Sequence, residues 1–136
     1  MKKKLLTIGT ILILALVATL FIMSKPYKPT SFVVDGENYS ASVQNDATLI
    51  LNLGNDDEKG EWIIAEPSEL FVSDYSNVTE TGTEFHIIPL TDGEGEMVFH
   101  FAKDDGTIEK YTLALTISRH QKTYLQIDTV SFKEHE

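Results

Sequence analysis

Cysteine is absent from this 136-residue chain. Its absence excludes disulfide bonds, catalytic thiols and thiolate metal ligands, so a folded domain has to be stabilised by packing and hydrogen bonding alone. About 107 residues remain from Thr30 onward. That length is sufficient for one domain with a single hydrophobic core.

Basic residues are scarce beyond position 30. This part of the chain contains six of them, whereas it contains all 21 acidic residues. The formal charge of this part is therefore −15. Nucleic acids are bound by basic surfaces, so we expect no nucleic-acid partner. The acidic balance is typical of a soluble extracellular domain with a solvated acidic surface. A cationic partner or divalent ions are the alternative interpretation.

Charged residues are also missing from positions 5–23, a run that follows Lys2, Lys3 and Lys4. As a helix this run would reach about 28 Å, close to the thickness of a bilayer core. The sequence predicts a cytoplasmic N-terminus at 1–4, a transmembrane signal-anchor at 5–23, a linker at 24–30 and an extracytoplasmic domain at 31–136 in the cell membrane. The alternative is secretion after cleavage of a signal peptide, although the run is long for one.

No window beyond residue 30 has a sustained helical period. Short runs of β-branched and aromatic residues recur instead, separated by glycine, aspartate and asparagine turns, which predicts an all-β sandwich or barrel. The runs cover 31–34, 39–43, 48–53, 62–64, 70–72, 84–90, 96–102, 107–117 and 123–132.

Alternation within three of these runs predicts the core. The inward rows are Phe85, Ile87 and Pro89; Met97, Phe99 and Phe101; and Tyr111, Leu113, Leu115 and Ile117. The turn at 91–94 suggests that the first two rows belong to adjacent strands of one hairpin. Trp62, the only tryptophan, follows a turn and needs a partner for its indole N–H if it is buried.

The order of these elements resembles the chagasin-like family, whose immunoglobulin-type domains inhibit papain-like cysteine proteases. Asn55 followed by Gly60 and Trp62 is similar to the family's first inhibitory loop. Gly82 opens a strand as the glycine-rich second loop does, and the resemblance extends over about 38–117. It implies an immunoglobulin-like antiparallel β-sandwich whose three loops meet at one end. The implied binding residues are Asn55, Asp56, Asp57, Gly60, Trp62, Gly82, Asp104 and Asp105.

The loops depart from the family pattern at each of the three positions. The first reads Asp56-Asp57-Glu58-Lys59 where the family has Pro-Thr-Thr, and Gly82 stands alone where a glycine cluster is usual. The third is 103–106, which lacks an Arg-Pro-Trp wedge. Acidic side chains cost free energy to desolvate in a narrow cleft, so we expect protease inhibition to be absent or weaker than micromolar.

Candidate chemistry elsewhere is limited. On the hairpin prediction, His86 and His100 lie on adjacent strands with outward side chains, an arrangement that could hold zinc or copper; two exposed histidines are the simpler interpretation, and we expect no metal site. Calcium at an acidic loop stays an alternative, without the spacing of an EF-hand. No nucleophile elbow or metalloprotease motif occurs, so we expect neither an enzyme nor a cofactor.

The sequence therefore predicts a non-enzymatic, membrane-anchored module that binds a protein or peptide. The family resemblance leaves a diverged chagasin-like protease inhibitor open as one form of this module. Its partner could be a papain-like protease or another protein. The alternative is a structural or assembly domain of a cell-envelope complex, in which a sheet edge docks a neighbour by strand addition.

Overall fold

A computed structural model describes residues 28–55 and 58–135. These residues form nine β-strands, and the transmembrane segment expected at 5–23 lies outside them. Among the described residues, no helix is long and apolar enough to cross a membrane. The strands are β1 (Ser31–Val34), β2 (Tyr39–Gln44), β3 (Thr48–Gly54), β4 (Gly60–Glu66), β5 (Phe71–Thr79), β6 (Gly82–Pro89), β7 (Gly93–Lys103), β8 (Ile108–His120) and β9 (Tyr124–Glu134).

Two sheets make up the fold. One has the order β1-β9-β8-β7-β4 and the other has the order β2-β3-β6-β5. All neighbouring strands are antiparallel except β1, which pairs with β9 in parallel. The all-β architecture expected from the sequence is confirmed in the form of two packed sheets.

The core lies between the sheets and follows the period of two along each strand. Leu49, Leu51 and Leu53 of β3 alternate with more exposed residues. The predicted inward rows of β6, β7 and β8 are buried except at Pro89, which is half-buried. The run at 123–132 also forms a strand as predicted, and its Ile127, Val130 and Phe132 complete the core.

The predicted hairpin across 91–94 is wrong. β6 pairs with β3 and β5, whereas β7 pairs with β4 and β8, so this connection crosses from one sheet to the other. The amides of Leu90 and Thr91 donate to the carbonyl oxygen of Leu70, which ties the crossover to the start of β5. Because both strands bury alternate residues against the same core, the face assignment survives although the pairing does not.

β5 is the other element that differs from expectation. The sequence indicates a strand only at 70–72, since Asp74, Ser76 and Asn77 have low β-propensity. The strand continues to Thr79 because it pairs with β6 along its whole length, with one irregularity between Ser73 and Tyr75.

Candidate functional site

Three connections meet at one end of the sandwich, which we call the tip: β3–β4 (55–59), β5–β6 (80–81) and β7–β8 (104–107). The amide of Asn55 donates to the carbonyl oxygen of Thr81 at 3.0 Å. The amide of Asp104 donates to the carbonyl oxygen of Lys59, also at 3.0 Å. The first connection is therefore hydrogen-bonded to both of the others, and the expected convergence of three loops is observed.

Trp62 supports the tip from beneath. Its side chain is 4% exposed, and its indole Nε1 donates to the carbonyl oxygen of Gly54 at 3.3 Å. Its ring centroid lies 5.0 Å from those of Phe101 and Tyr111 and 5.7 Å from that of Tyr39. The first connection thus begins above a packed aromatic cluster contributed by both sheets.

Glycine is required at the tip for close backbone approach. A Cβ at Gly82 would overlap the carbonyl oxygen of Leu53 in the neighbouring strand. A Cβ at Gly60 would lie 2.7 Å from the carbonyl oxygen of Ala102. These two positions, which the family resemblance singled out, therefore have a structural role that is sufficient to explain them.

An ion-pair network joins the first and third connections. Lys103 Nζ lies 2.7 Å from Glu58 Oε2 and 2.5 Å from Glu109 Oε1. Glu109 Oε2 accepts a hydrogen bond from the Tyr111 hydroxyl at 2.7 Å, and that hydroxyl accepts one from Tyr39 at 2.9 Å. The chain of contacts runs from the buried aromatic cluster to the surface of the tip.

The network shifts the pKa values of its members. The hydrogen bond from Lys103, followed by that from Tyr111, lowers the pKa of Glu109. The hydrogen bonds to Glu109 and Glu58 raise the pKa of Lys103. Burial, followed by the hydrogen bond with Tyr39, raises the pKa of Tyr111. Lys103 therefore remains a cation that is already neutralised by two carboxylates of its own domain.

A depression of about 900 Å³ opens between the β3–β4 and β5–β6 connections. Its walls are mostly polar, and four carboxylates line them beside Lys59. The side-chain oxygen Oδ1 of Asn55 is buried in this wall and has no hydrogen-bond partner among the described residues. The carboxylates are Glu58, Glu80, Glu84 and Asp104, so the depression suits a polar, positively charged group.

The predicted site residues are distributed unevenly over this geometry. Asn55, Gly60, Gly82 and Asp104 line the depression, and Trp62 lies beneath it. Asp56 and Asp57 lie outside the described residues. Asp105 instead closes its own turn.

That turn contains one well-defined hydrogen bond. Asp105 Oδ1 accepts from the amide of Thr107 at 2.8 Å, which lowers the pKa of Asp105. Gly106 follows with φ of 93°, a left-handed conformation that favours glycine. Asp105 therefore stabilises the connection itself and does not line the depression.

Sequence reasoning missed most of the depression's lining. Apart from Glu58 and Lys59, which belong to the predicted first loop, the lining residues that were not predicted to lie at the site are Asn38, Asn52, Leu53, Gly54, Thr79, Glu80, Thr81, Thr83 and Glu84. Asn38 comes to the tip because its carbonyl oxygen accepts from the amide of Gly54. The sequence signal that could have found them is the polar segment Thr79-Glu80-Thr81, which includes the last residue of β5 and the connection after it. Because the strand was predicted only at 70–72, this segment had no position in the expected fold.

The two histidines do not form a pair. His86 is on β6 and His100 is on β7, so they lie in different sheets. His86 contacts Glu84 at 3.1 Å and packs against Tyr75 at 4.8 Å between ring centroids. His100 lies between Ile63 and Lys110 in register. Within 28–55 and 58–135, no group of three or more acidic or histidine side chains is placed to hold a metal ion.

Comparisons with descriptions of known protein families, with curated proteins and with solved structures gave no significant match for this chain.

Proposed function

We propose that this protein is a membrane-anchored, extracytoplasmic β-sandwich of the immunoglobulin type that binds a protein or peptide through its tip, without enzymatic activity. One observation carries the proposal: three connections converge at one end and are joined by backbone hydrogen bonds. Binding sites are commonly formed by loops that a rigid scaffold holds in place.

The strand orders support the immunoglobulin-like part of the proposal. A constant-type immunoglobulin domain has one sheet in the order ABED and another in the order CFG. If β2 to β8 are strands A to G, the orders β2-β3-β6-β5 and β4-β7-β8 match this arrangement. β9 and β1 then extend the second sheet beyond strand G.

The anchor rests on the sequence. Three lysines precede an uncharged run of membrane-spanning length at 5–23, which orients the N-terminus to the cytoplasm. The domain would then act on the outer side of the membrane, tethered by the linker at 24–30. The alternative of cleavage and secretion would leave the same domain without its tether.

We propose that the domain and the chagasin-like inhibitors have a fold of common ancestry, and that this domain has lost the inhibitory loops. Glu58 and Asp104 occupy the tip where an inhibitor would insert uncharged loops. Lys103 cannot neutralise an additional carboxylate without releasing Glu58 or Glu109. A papain-like protease is therefore a weaker candidate for the partner than a cationic protein or peptide.

Neutralising the tip tests this function. The full-length protein in detergent would be used to capture partners from its own envelope extract, beside a variant with Asp56, Asp57 and Asp104 all changed to Asn. We expect the variant to lose capture while keeping its thermal unfolding temperature, and capture by the wild type to weaken as salt rises. A matched variant with Glu66, Glu69 and Glu94 changed to Gln, all exposed and away from the tip, should capture normally.

A structural or assembly role is the second candidate function. The observation that favours it is the outer edge of β5, which no other strand covers among the described residues. Such an edge can take a strand from another chain. In the capture experiment, partners lost only on altering this edge would favour the second candidate.

A further inference from the structure

The outer edge of β5 carries an uninterrupted uncharged segment. Tyr75, Ser76, Asn77, Val78 and Thr79 have no charge, and Asp74 and Glu80 bracket them. Edge strands in soluble proteins are usually protected from pairing by lysine, proline, bulges or brevity. β5 has an irregularity between Ser73 and Tyr75, but the five residues that follow have none of these protections.

This segment is exposed on both of its faces. Tyr75 lies opposite His86 on the outer face and is 52% exposed. Val78 lies opposite Thr83 on the core-facing side, yet it is 74% exposed. The other sheet therefore does not cover this end of β5, and a strand added along the edge would have room for side chains on both faces.

The opposite side of the sandwich, where β1 and β2 lie, is less open than the side of β5. β1, one of the two edge strands of the larger sheet, contacts β2, one of the two edge strands of the smaller sheet. β1 is also only four residues long. β5 has nine residues, which is enough for a peptide to form several main-chain hydrogen bonds.

Charge determines what could occupy the edge. β5 and β6 together with their connection carry Asp74, Glu80 and Glu84 but no lysine or arginine. A second copy is disfavoured, because antiparallel pairing of the whole uncharged segment with itself would place Asp74 opposite the Glu80 of its partner. Like charges directly opposite each other destabilise a strand pair.

We propose that the edge of β5 binds an extended peptide segment of another protein by strand addition, the segment having about five uncharged β-forming residues between basic ones. Asp74 lies in the irregularity of β5 and Glu80 lies just beyond the end of the strand. They are six residues apart, which corresponds to about 20 Å in an extended chain. Basic residues at the same spacing would pair with both carboxylates. This inference deepens the second candidate function, and of the residues that it uses only Glu80 also belongs to the tip.

The probe is the peptide acetyl-Lys-Val-Thr-Val-Thr-Val-Lys-amide, labelled for fluorescence anisotropy and titrated into the full-length protein in detergent. A control peptide has Glu at both ends, and a second has N-methyl groups on alternate backbone amides. We expect the Lys-ended peptide to bind at least several-fold more tightly than the Glu-ended one. We also expect N-methylation to abolish binding, since it removes the ladder hydrogen bonds.

Three variants locate the binding. Val78→Lys places a charge in the exposed segment and should weaken binding of the Lys-ended peptide about fivefold or more. The change removes a cross-strand contact and repels the peptide lysine that pairs with Glu80, two positions away. Asp74→Lys with Glu80→Lys should reverse the preference, so that the Glu-ended peptide binds about fivefold more tightly. Asp104→Asn, at the tip, should leave both affinities unchanged.

Hydrogen exchange gives a second measure of the same event. Backbone amides within 75–79 should gain protection when the Lys-ended peptide is present, and amides of the β3–β4 connection should not. The proposal is overturned if neither peptide binds up to millimolar concentration, if both bind equally, or if Asp104→Asn weakens binding while Val78→Lys does not. Those results would leave the capture experiment on the tip unaffected.

Discussion

The indole of Trp62 donates its N–H to the carbonyl oxygen of Gly54, the last residue of β3, at 3.3 Å. This hydrogen bond joins the first turn of the tip to the aromatic cluster between the sheets. It satisfies a carbonyl at the point where the chain leaves one sheet for the other. The position of the tip is therefore coupled to the packing of the core.

Replacing Trp62 with Phe tests this coupling. The change keeps an aromatic ring but leaves the Gly54 carbonyl without its donor, so we expect the free energy of unfolding to fall by about 1–3 kcal/mol. Chemical denaturation of the full-length protein in detergent measures it. Ile63→Val, at the adjacent exposed position, should change stability by about 0.5 kcal/mol or less. Equal effects of the two substitutions would contradict the role given to Trp62.

Phe99 lies at the centre of the core, with its ring centroid 5.1 Å from that of Phe85 and 6.0 Å from that of Phe132. Its side chain is fully buried. We expect Phe99→Ala to cost about 3–5 kcal/mol of stability, because it removes apolar contacts and leaves a cavity. The outward neighbour His100→Ala serves as control. A loss below about 1 kcal/mol for Phe99→Ala would contradict the assigned face.

The ion pair between Glu109 and Lys103 predicts a pH dependence. The pKa of Glu109 is lowered in the folded protein from its ordinary value of 4.5. Glu109 therefore stabilises the fold above about pH 4.5, and this stabilisation is lost as pH falls through the lower folded pKa. The difference in unfolding free energy between wild type and Glu109→Gln should be constant near neutral pH and should shrink at acid pH.

A thermodynamic cycle with Lys103→Met isolates this contribution. In the Lys103→Met background, Glu109→Gln should have a smaller effect on the unfolding free energy at neutral pH, since the cation that lowers the pKa of Glu109 is gone. The raised pKa of Lys103 keeps this side chain charged up to alkaline pH. We therefore expect no loss of stability from deprotonation of Lys103 near neutral pH. A Glu109→Gln effect that grows on acidification would refute the assignment.

Protease inhibition is expected to be absent or weaker than micromolar. The acidic tip has no uncharged wedge, and desolvating Glu58 and Asp104 in a narrow cleft would cost more than the contacts return. The measurement is residual papain activity on a fluorogenic substrate with increasing full-length protein, beside a small-molecule cysteine protease inhibitor as a positive control. Nanomolar inhibition would mean that the fold alone positions the tip well enough for inhibition.

Much of the fold follows from patterns that are local in the sequence. Leu113 and Leu115 are buried because alternation along one strand determines which face they occupy. Strand pairing was less predictable. A short turn such as 91–94 can close a hairpin or pass between sheets, and the choice depends on where β5 and β8 lie.

The candidate site was predictable only in part. Gly60, Gly82 and Trp62 could be placed at the tip through the family resemblance. The position of Lys103 between Glu58 and Glu109 could not be predicted. That contact depends on how two connections that are far apart in the sequence lie relative to each other. Asp105 was assigned to the binding surface, although its side chain closes a local turn. The exposed edge of β5 could not be foreseen while the strand was expected to end at Val72.

Site-specific photo-crosslinking tests the central claim, that the tip contacts the partner, most directly. A photoreactive amino acid would replace Asp104 at the tip, and Glu94 at the start of β7 in a matched control, in the full-length protein produced in its native cells. We predict a discrete crosslinked species from position 104 that weakens at high salt and is absent from position 94. Equal crosslinking at both positions, or none at 104, would contradict binding through the tip.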